Sequence, residues 1–172
     1  KSLSTMCSLY KNITLLDNSS ININGYRFIG STLWSHIDKT HSATIQRYMN
    51  DYHIIGLNTS DSTLNYETGE QISEINTKSN IKTLGVENTN FFHKEAVKYI
   101  EKELEKDKKI PTIILTHHAP LMDDLKNGIS IQDKEYHNSP LSQAFGTVLS
   151  HVFQPCVKLW AFGHTHYANT FK

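Results

Sequence analysis

Two short apolar runs in this chain each stop at histidine. Thr112-Ile113-Ile114-Leu115-Thr116 gives way to His117-His118-Ala119-Pro120, and Val157 to Phe162 gives way to Gly163-His164-Thr165-His166. The first run, wholly apolar, suits a strand buried on both faces of a sheet, and Val157 to Phe162 reads as another buried strand. Each is preceded by a helical pattern. Asn90 is a candidate N-cap for a helix to about Lys106, with Ala96, Val97, Ile100 and Leu104 as its apolar stripe. Ser139-Pro140 reads as an N-cap with proline at the first helical position, ahead of Leu141, Ala144, Phe145, Val148, Leu149 and Val152 at helical spacing. Two helix-then-strand units in succession predict an α/β fold. In such folds ligands gather at the carboxyl ends of strands, so the histidines stand where a site is expected.

The preceding half is more broken. Ile13 to Leu16 is a short apolar run, read as a strand ending in a turn at Asp17-Asn18. Asn24-Gly25 sits between two β-rich runs, and both residues tolerate positive φ, so a hairpin is expected over Ile21–Ile29. Gly30-Ser31-Thr32 should break that pattern. Ser42 to Tyr52 reads as a helix with Ile45, Tyr48, Met49 and Tyr52 on one face. Asn58 to Asn80 is rich in Ser, Thr and Asn and reads as an excursion rather than a linker. The expectation is one domain over residues 1–172.

Charge narrows the function. Lys plus Arg number 17 and Asp plus Glu number 17, so the net charge is zero. That argues against a broad electrostatic footprint for nucleic acid. A small phosphate-bearing substrate remains compatible, because a metal can supply positive charge locally. Cys7 and Cys156 sit in unrelated contexts and form no C-x-x-C pair. Both read as buried thiols of a reducing compartment, which points to the cytoplasm. No run is apolar enough to cross a bilayer, and no secretory leader is visible. Asn12, Asn18 and Asn58 each begin a glycosylation triplet, a match expected by chance in so Asn-rich a chain.

There are 10 histidines, and the question is which of them cluster. Imidazole binds Zn, Mn, Fe and similar divalent ions well. His164 and His166 leave one strand as a His-x-His pair, after a glycine that would ease close backbone approach to a metal. His117 leaves another strand. Three rings from two strand ends can anchor a metal but do not complete two sites. The remaining histidines have simpler explanations. His36, His41, His53 and His93 lack a partner in sequence and read as surface or capping residues. His137 flanks a predicted helix, and His151 closes it, where a cationic ring is favourable. Trp34 reads as a core aromatic, Cys156 as a core thiol, and Asp123, Asp124 and Tyr136 as loop surface.

At Thr116-His117-His118-Ala119-Pro120 and Gly163-His164-Thr165-His166 the chain resembles the calcineurin-like metallophosphoesterases. Asn12–Leu16, the Asn24-Gly25 hairpin, Gly30 to Ser35 and Leu159-Trp160-Ala161-Phe162 extend the likeness over almost the whole chain. The resemblance implies mixed β-sheets packed as a sandwich with flanking helices. It implies hydrolysis of a phosphomonoester or phosphodiester, on a small molecule or a phosphoprotein, at two divalent metal ions (Mn, Fe, Zn or Ni). By position, His117 and His164 match ligands of the second metal and His166 a ligand of the first, with His118 the rival for the His117 role. The family also uses Asp-x-His, Gly-Asp and Gly-Asn-His-Asp/Glu motifs, and none stands in the expected place. Asp51-Tyr52-His53 matches the first in letters but lies in a predicted helix and is read as structural. The chain therefore reads as the histidine-rich C-terminal portion of such a domain, with residues expected beyond both ends. A non-catalytic metal-binding or interaction module, or an inert fragment, is the alternative.

Overall fold

The computed structural model describes residues 3–58 and 81–170. The element order is α1 (Leu3–Cys7), β1 (Ser19–Ile23), β2 (Tyr26–Ser31), α2 (Lys39–Tyr48), α3 (Asp51–Ile54), β3 (Gly56–Asn58), β4 (Ile81–Thr83), α4 (Val86–Lys106), β5 (Thr112–Thr116) and β6 (Val157–Phe162). The fold is mixed α/β. One sheet has the order β1-β2-β5-β6, with β1 antiparallel to β2 and the pairs β2/β5 and β5/β6 parallel. β3 and β4 form a separate antiparallel pair.

The hairpin forms where Asn24-Gly25 predicts it, with φ of 50° and 82° at the two turn residues. β2 does not break at Gly30. Gly30 and Ser31 pair with Leu115 and Thr116, and the parallel ladder carries the strand on. Ile13–Leu16 forms no strand. Instead Leu16 lies across Gly30, where a Cβ would stand 2.3 Å from the Leu16 Cβ.

α4 is the long helix over the sheet, and it begins a turn earlier than predicted. Asn88, not Asn90, does the capping: its Oδ1 accepts the Gly85 N–H at 2.8 Å. Asn90 lies inside the helix and grips Ile37, accepting its N–H at 2.8 Å and donating to its carbonyl at 2.9 Å. The stripe Ala96, Ile100 and Leu104 is buried against Ile29, Ile114, Leu149, Val152 and Cys156. A second cluster joins Ile37, Ile45, Tyr52, Leu84, Val86 and Ala144.

Three expectations fail for identifiable reasons. No α-helix spans Leu141–Val152, only short 3-10 turns at Ser142–Ala144 and Ser150–Val152. The backbone there is engaged elsewhere. Ala119 N–H donates to the Phe145 carbonyl and the Ala119 carbonyl accepts from Thr147, each at 3.0 Å. Gly146 permits this approach, since a Cβ on it would meet the Leu121 carbonyl at 2.3 Å. The helix expected over Ser42–Tyr52 stops at Tyr48, where Met49 turns extended. The break sends Tyr48 to solvent and Tyr52 inward, its hydroxyl 3.0 Å from Thr89 Oγ1. Finally, β5 and β6 are not buried on both faces. Ile114 is sealed beneath α4, but Leu115 is 40% and Leu159 54% exposed. On that outer face Leu16 covers only Gly30, the partner of Leu115, and β6 is an edge strand. Cys7, expected to be buried, is half-exposed on α1, while Cys156 is buried. Most of the polar excursion, residues 59–80, lies outside the described residues.

Arg27 ties the sheet to the end of α4. Its guanidinium, 3% exposed as a residue, donates to Thr112 Oγ1, to the Glu103 carbonyl and to the Asp107 carbonyl. It so satisfies carbonyls that the helix end leaves unpaired. The Glu103 carboxylate accepts from Ser20 and Lys106. Burial opposes its ionisation, but those hydrogen bonds and the Lys106 and Arg27 charges prevail and hold its pKa below the ordinary value.

Replacing Ile100 by Ala is expected to cost about 2–5 kcal/mol, read by urea denaturation with an unchanged m-value. For Glu103 the folded carboxyl is the stronger acid. Its stabilising contribution is therefore present above pH 4.5 and lost as pH falls through the folded value. Glu103→Gln should remove that part of the acid dependence of unfolding.

Candidate metal centre

Three parallel strands end side by side, and the ladder does not stop with them. His118 N–H donates to the Thr32 carbonyl at 3.2 Å, and Gly163 N–H donates to the His117 carbonyl at 3.1 Å. These bonds carry the pairing of β2, β5 and β6 one step into the loops. Thr116 Oγ1 accepts from the Trp160 indole at 3.0 Å and donates to the His118 carbonyl at 2.7 Å, which fixes the turn. The histidines therefore leave a braced edge.

The rings meet there. Ring centres are 4.8 Å apart for His117 and His164, 4.3 Å for His118 and His164, and 5.2 Å for His117 and His118. His166 is exposed and follows one residue after this group. Both His164 and His166 have positive φ, 65° and 52°, an uncommon conformation for residues other than glycine. Gly163 is not required by crowding, because a Cβ on it would make ordinary contact, at 3.8 Å, with His117.

His117 and His118 have different surroundings. His117 is exposed. His118 is 3% exposed and packed beneath Trp34, ring centres 5.1 Å apart, with Nδ1 3.3 Å from the Thr32 carbonyl. Trp34 thus borders the cluster and does not lie in the deep core. It is held there by an unusual backbone: Leu33 and Trp34 both have positive φ, 66° and 50°. His93, expected at the surface, is buried and steadies that pair, with Nδ1 3.0 Å from the Leu33 carbonyl and 3.3 Å from that of Trp34. Nothing in the sequence around His93 signalled this, since its partners are some 60 residues away.

Other histidines are engaged away from this cluster. His36 faces Asp38 at 3.5 Å, His151 faces Glu101 at 3.2 Å, and His137 Nε2 is 2.8 Å from Ser130 Oγ. Exposed His53 lies 2.9 Å from the Arg47 carbonyl. Asp123 organises its loop, accepting from Ile131 N–H and Gln132 Nε2. Asp124 accepts from Asn127, and Tyr136 is exposed, as expected for loop surface.

The electrostatics favour neutral rings. Burial, then the neighbouring His164, pushes the His118 pKa down to about 3, with the Thr32 carbonyl acting weakly the other way. Burial and His117 lower that of His164, against an upward pull from the Asp51 carboxylate. Burial also lowers His93. Neutral imidazole is the form that binds a metal. Asp51, read from sequence as structural, is thus close enough for its charge to bear on His164.

A metal fits part of this arrangement. The His164 Nε2 is buried with no hydrogen-bond partner, an orphaned lone pair or proton. His117 and His164 are the pair that could share an ion, while the exposed His166 makes no ring contact with them. Among the described residues no group of three or more His, Cys, Asp or Glu side chains is arranged to hold one.

No family model matches the chain, and no solved structure matches it. It is similar to an uncharacterized protein of Acanthamoeba polyphaga mimivirus. The two are 35% identical over 169 residues, which cover 98% of this chain and 54% of that protein. The chain spans about half the length of the curated relative it matches. Among the described residues, no helix is long and apolar enough to cross a membrane.

Because His118 and His164 resist protonation when folded, the unfolded chain takes up protons first as pH drops. Stability should therefore be full above pH 6.5 and fall below it, by about 1.4 kcal/mol per pH unit for His118 down to its folded value of about 3, with His164 acting in the same direction. His118→Phe, which keeps a ring under Trp34, should flatten the fall between pH 6 and pH 4, as read by urea denaturation across that range.

Proposed function

We propose that this chain is the histidine-bearing part of a metal-dependent phosphoesterase of the calcineurin-like kind. The observation that carries the reading is the meeting of His117 and His164 at adjacent parallel strand ends, with the His164 Nε2 buried and unpartnered. In this reading His117, His164 and His166 hold divalent ions of the Mn, Fe, Zn or Ni type, and His118 braces them from behind. A bound ion pair would supply Lewis acidity and activate water against a phosphate ester. The chain's own part is to present neutral imidazoles on a braced edge. The carboxylates of a two-ion site would come from outside the described residues. The open sheet face fits the same account. Leu115 and Leu159 lie on it, and exposed apolar surface of this sort belongs against a partner layer, here the second sheet of a sandwich. Substrates in this reading are small phosphate esters or phosphoproteins, and the setting is intracellular.

A second reading is supported by the lack of a three-ligand group among the described residues. In it the chain alone is an inert or weakly metal-binding half.

Metal content by inductively coupled plasma mass spectrometry separates the two. The first reading expects about two Mn, Fe or Zn per chain in a hydrolytically active form. His164→Ala should then lower metal content and cut hydrolysis of a chromogenic phosphate ester by at least about 100-fold. His117→Ala should do the same, whereas His118→Ala should mainly lower stability. Activity that survives His164→Ala overturns the assignment. Little or no metal and no hydrolysis would support the second reading.

A further inference from the structure

The described residues contain a second concave surface, away from the strand ends. It lies where α2, the α2–α3 corner and β4 meet the start of α4, and it is an open cleft of about 840 Å³. That is within the range of small-molecule sites and far more than one phosphate occupies. Lys39 and Arg47 line it from α2 and Lys82 from β4, with Ser42 and Thr83 supplying hydroxyls. Three exposed cations, two from α2 and one from β4, thus line one cleft.

Among the described residues no ion pair cancels their charge. Among the described residues the ion pairs involve His36, Lys98, Lys106, Lys108 and His151, and none of the three cleft cations. Arg47 rests its guanidinium 5.6 Å from the Tyr48 ring centre, a contact that leaves its in-plane N–H donors available. The opposing charge on the lining is Glu87. Its carboxylate folds back against Gly85 at the start of α4, where it offsets the positive end of that helix. The first N–H groups of α4 are engaged too, Gly85 by Asn88 and Val86 by Gln46, so the helix end itself is not the binding group. The side-chain cations are.

We propose that this cleft binds a small molecule carrying two or more phosphate groups, held by Lys39, Arg47 and Lys82. Three cations on the lining of one cleft match several phosphates better than one, and Arg47 offers a fork for phosphate oxygens. The site needs no metal and stands apart from the hydrolase reading.

The test is isothermal titration calorimetry with inorganic tripolyphosphate, in chelator-treated buffer at low salt. Binding is expected, and it should weaken as salt rises. Lys39→Glu combined with Lys82→Glu changes two exposed side chains, so far-UV circular dichroism should be unaltered. Affinity should fall by about tenfold or more. His117→Ala combined with His164→Ala should leave the affinity within about twofold, because those rings lie outside the cleft. No binding by the parent chain, undiminished binding by a folded Lys39→Glu/Lys82→Glu variant, or loss of binding in the histidine variant would each overturn the proposal.

Discussion

The parallel pairing of β5 with both neighbours is the constraint on which the rest depends. A central strand hydrogen-bonded on each side has its end fixed in three dimensions, and here the ladder runs on through Thr32–His118 and Gly163–His117. The loops that follow β2, β5 and β6 therefore start from one rigid edge. α4 closes the inner face with Ala96, Ile100 and Leu104, and Arg27 locks its far end to the same strands. Had β2 ended at Gly30, Thr32 would not reach His118, and the inner ring would lose its backbone partner.

The strand-end cluster departs from ordinary backbone and solvation in several places at once. Leu33, Trp34, His164 and His166 all take positive φ. Each such residue costs about 1–3 kcal/mol and persists only because its surroundings impose it. His93 and the Ser31 hydroxyl impose it at Leu33. Packing three imidazoles within touching distance adds a second cost, since any proton taken up there would be poorly solvated and would repel its neighbours. The two more buried rings, His118 and His164, avoid that cost by resisting protonation, and the neutral form is the one suited to giving a lone pair to a cation.

The two faces of the main sheet tell different stories. The inner face is sealed by α4 and by the loop after β5. The outer face carries Leu115 and Leu159 half-open, next to the edge strand β6. An open apolar face and an unpaired strand edge are both costly in water and invite association. The second cluster, around Ile45, Tyr52 and Leu84, places α2 and β4 so that their basic side chains converge on the cleft. Charge that averages to zero over the chain is therefore unevenly distributed.

Much of this was legible in the residues. Asn24-Gly25 sets its hairpin because only certain residues accept positive φ in a two-residue turn. The stripe of α4 and the apolar runs of β5 and β6 are periodicities, which survive any tertiary context that buries one face. The strand-end placement of His117 and His164 follows from those runs. What sequence could not give is what depends on contacts between distant segments. Leu141–Val152 has a helical pattern but gives its backbone hydrogen bonds to Ala119. His93 and Trp34 join the histidine cluster only because α4 crosses behind β2. Lys39 and Lys82 share a cleft only because β4 packs beside α2. Periodicity records which face of an element is apolar. Only the folded chain decides which faces meet, because that choice rests on long-range packing and hydrogen bonds that leave no mark on neighbouring residues.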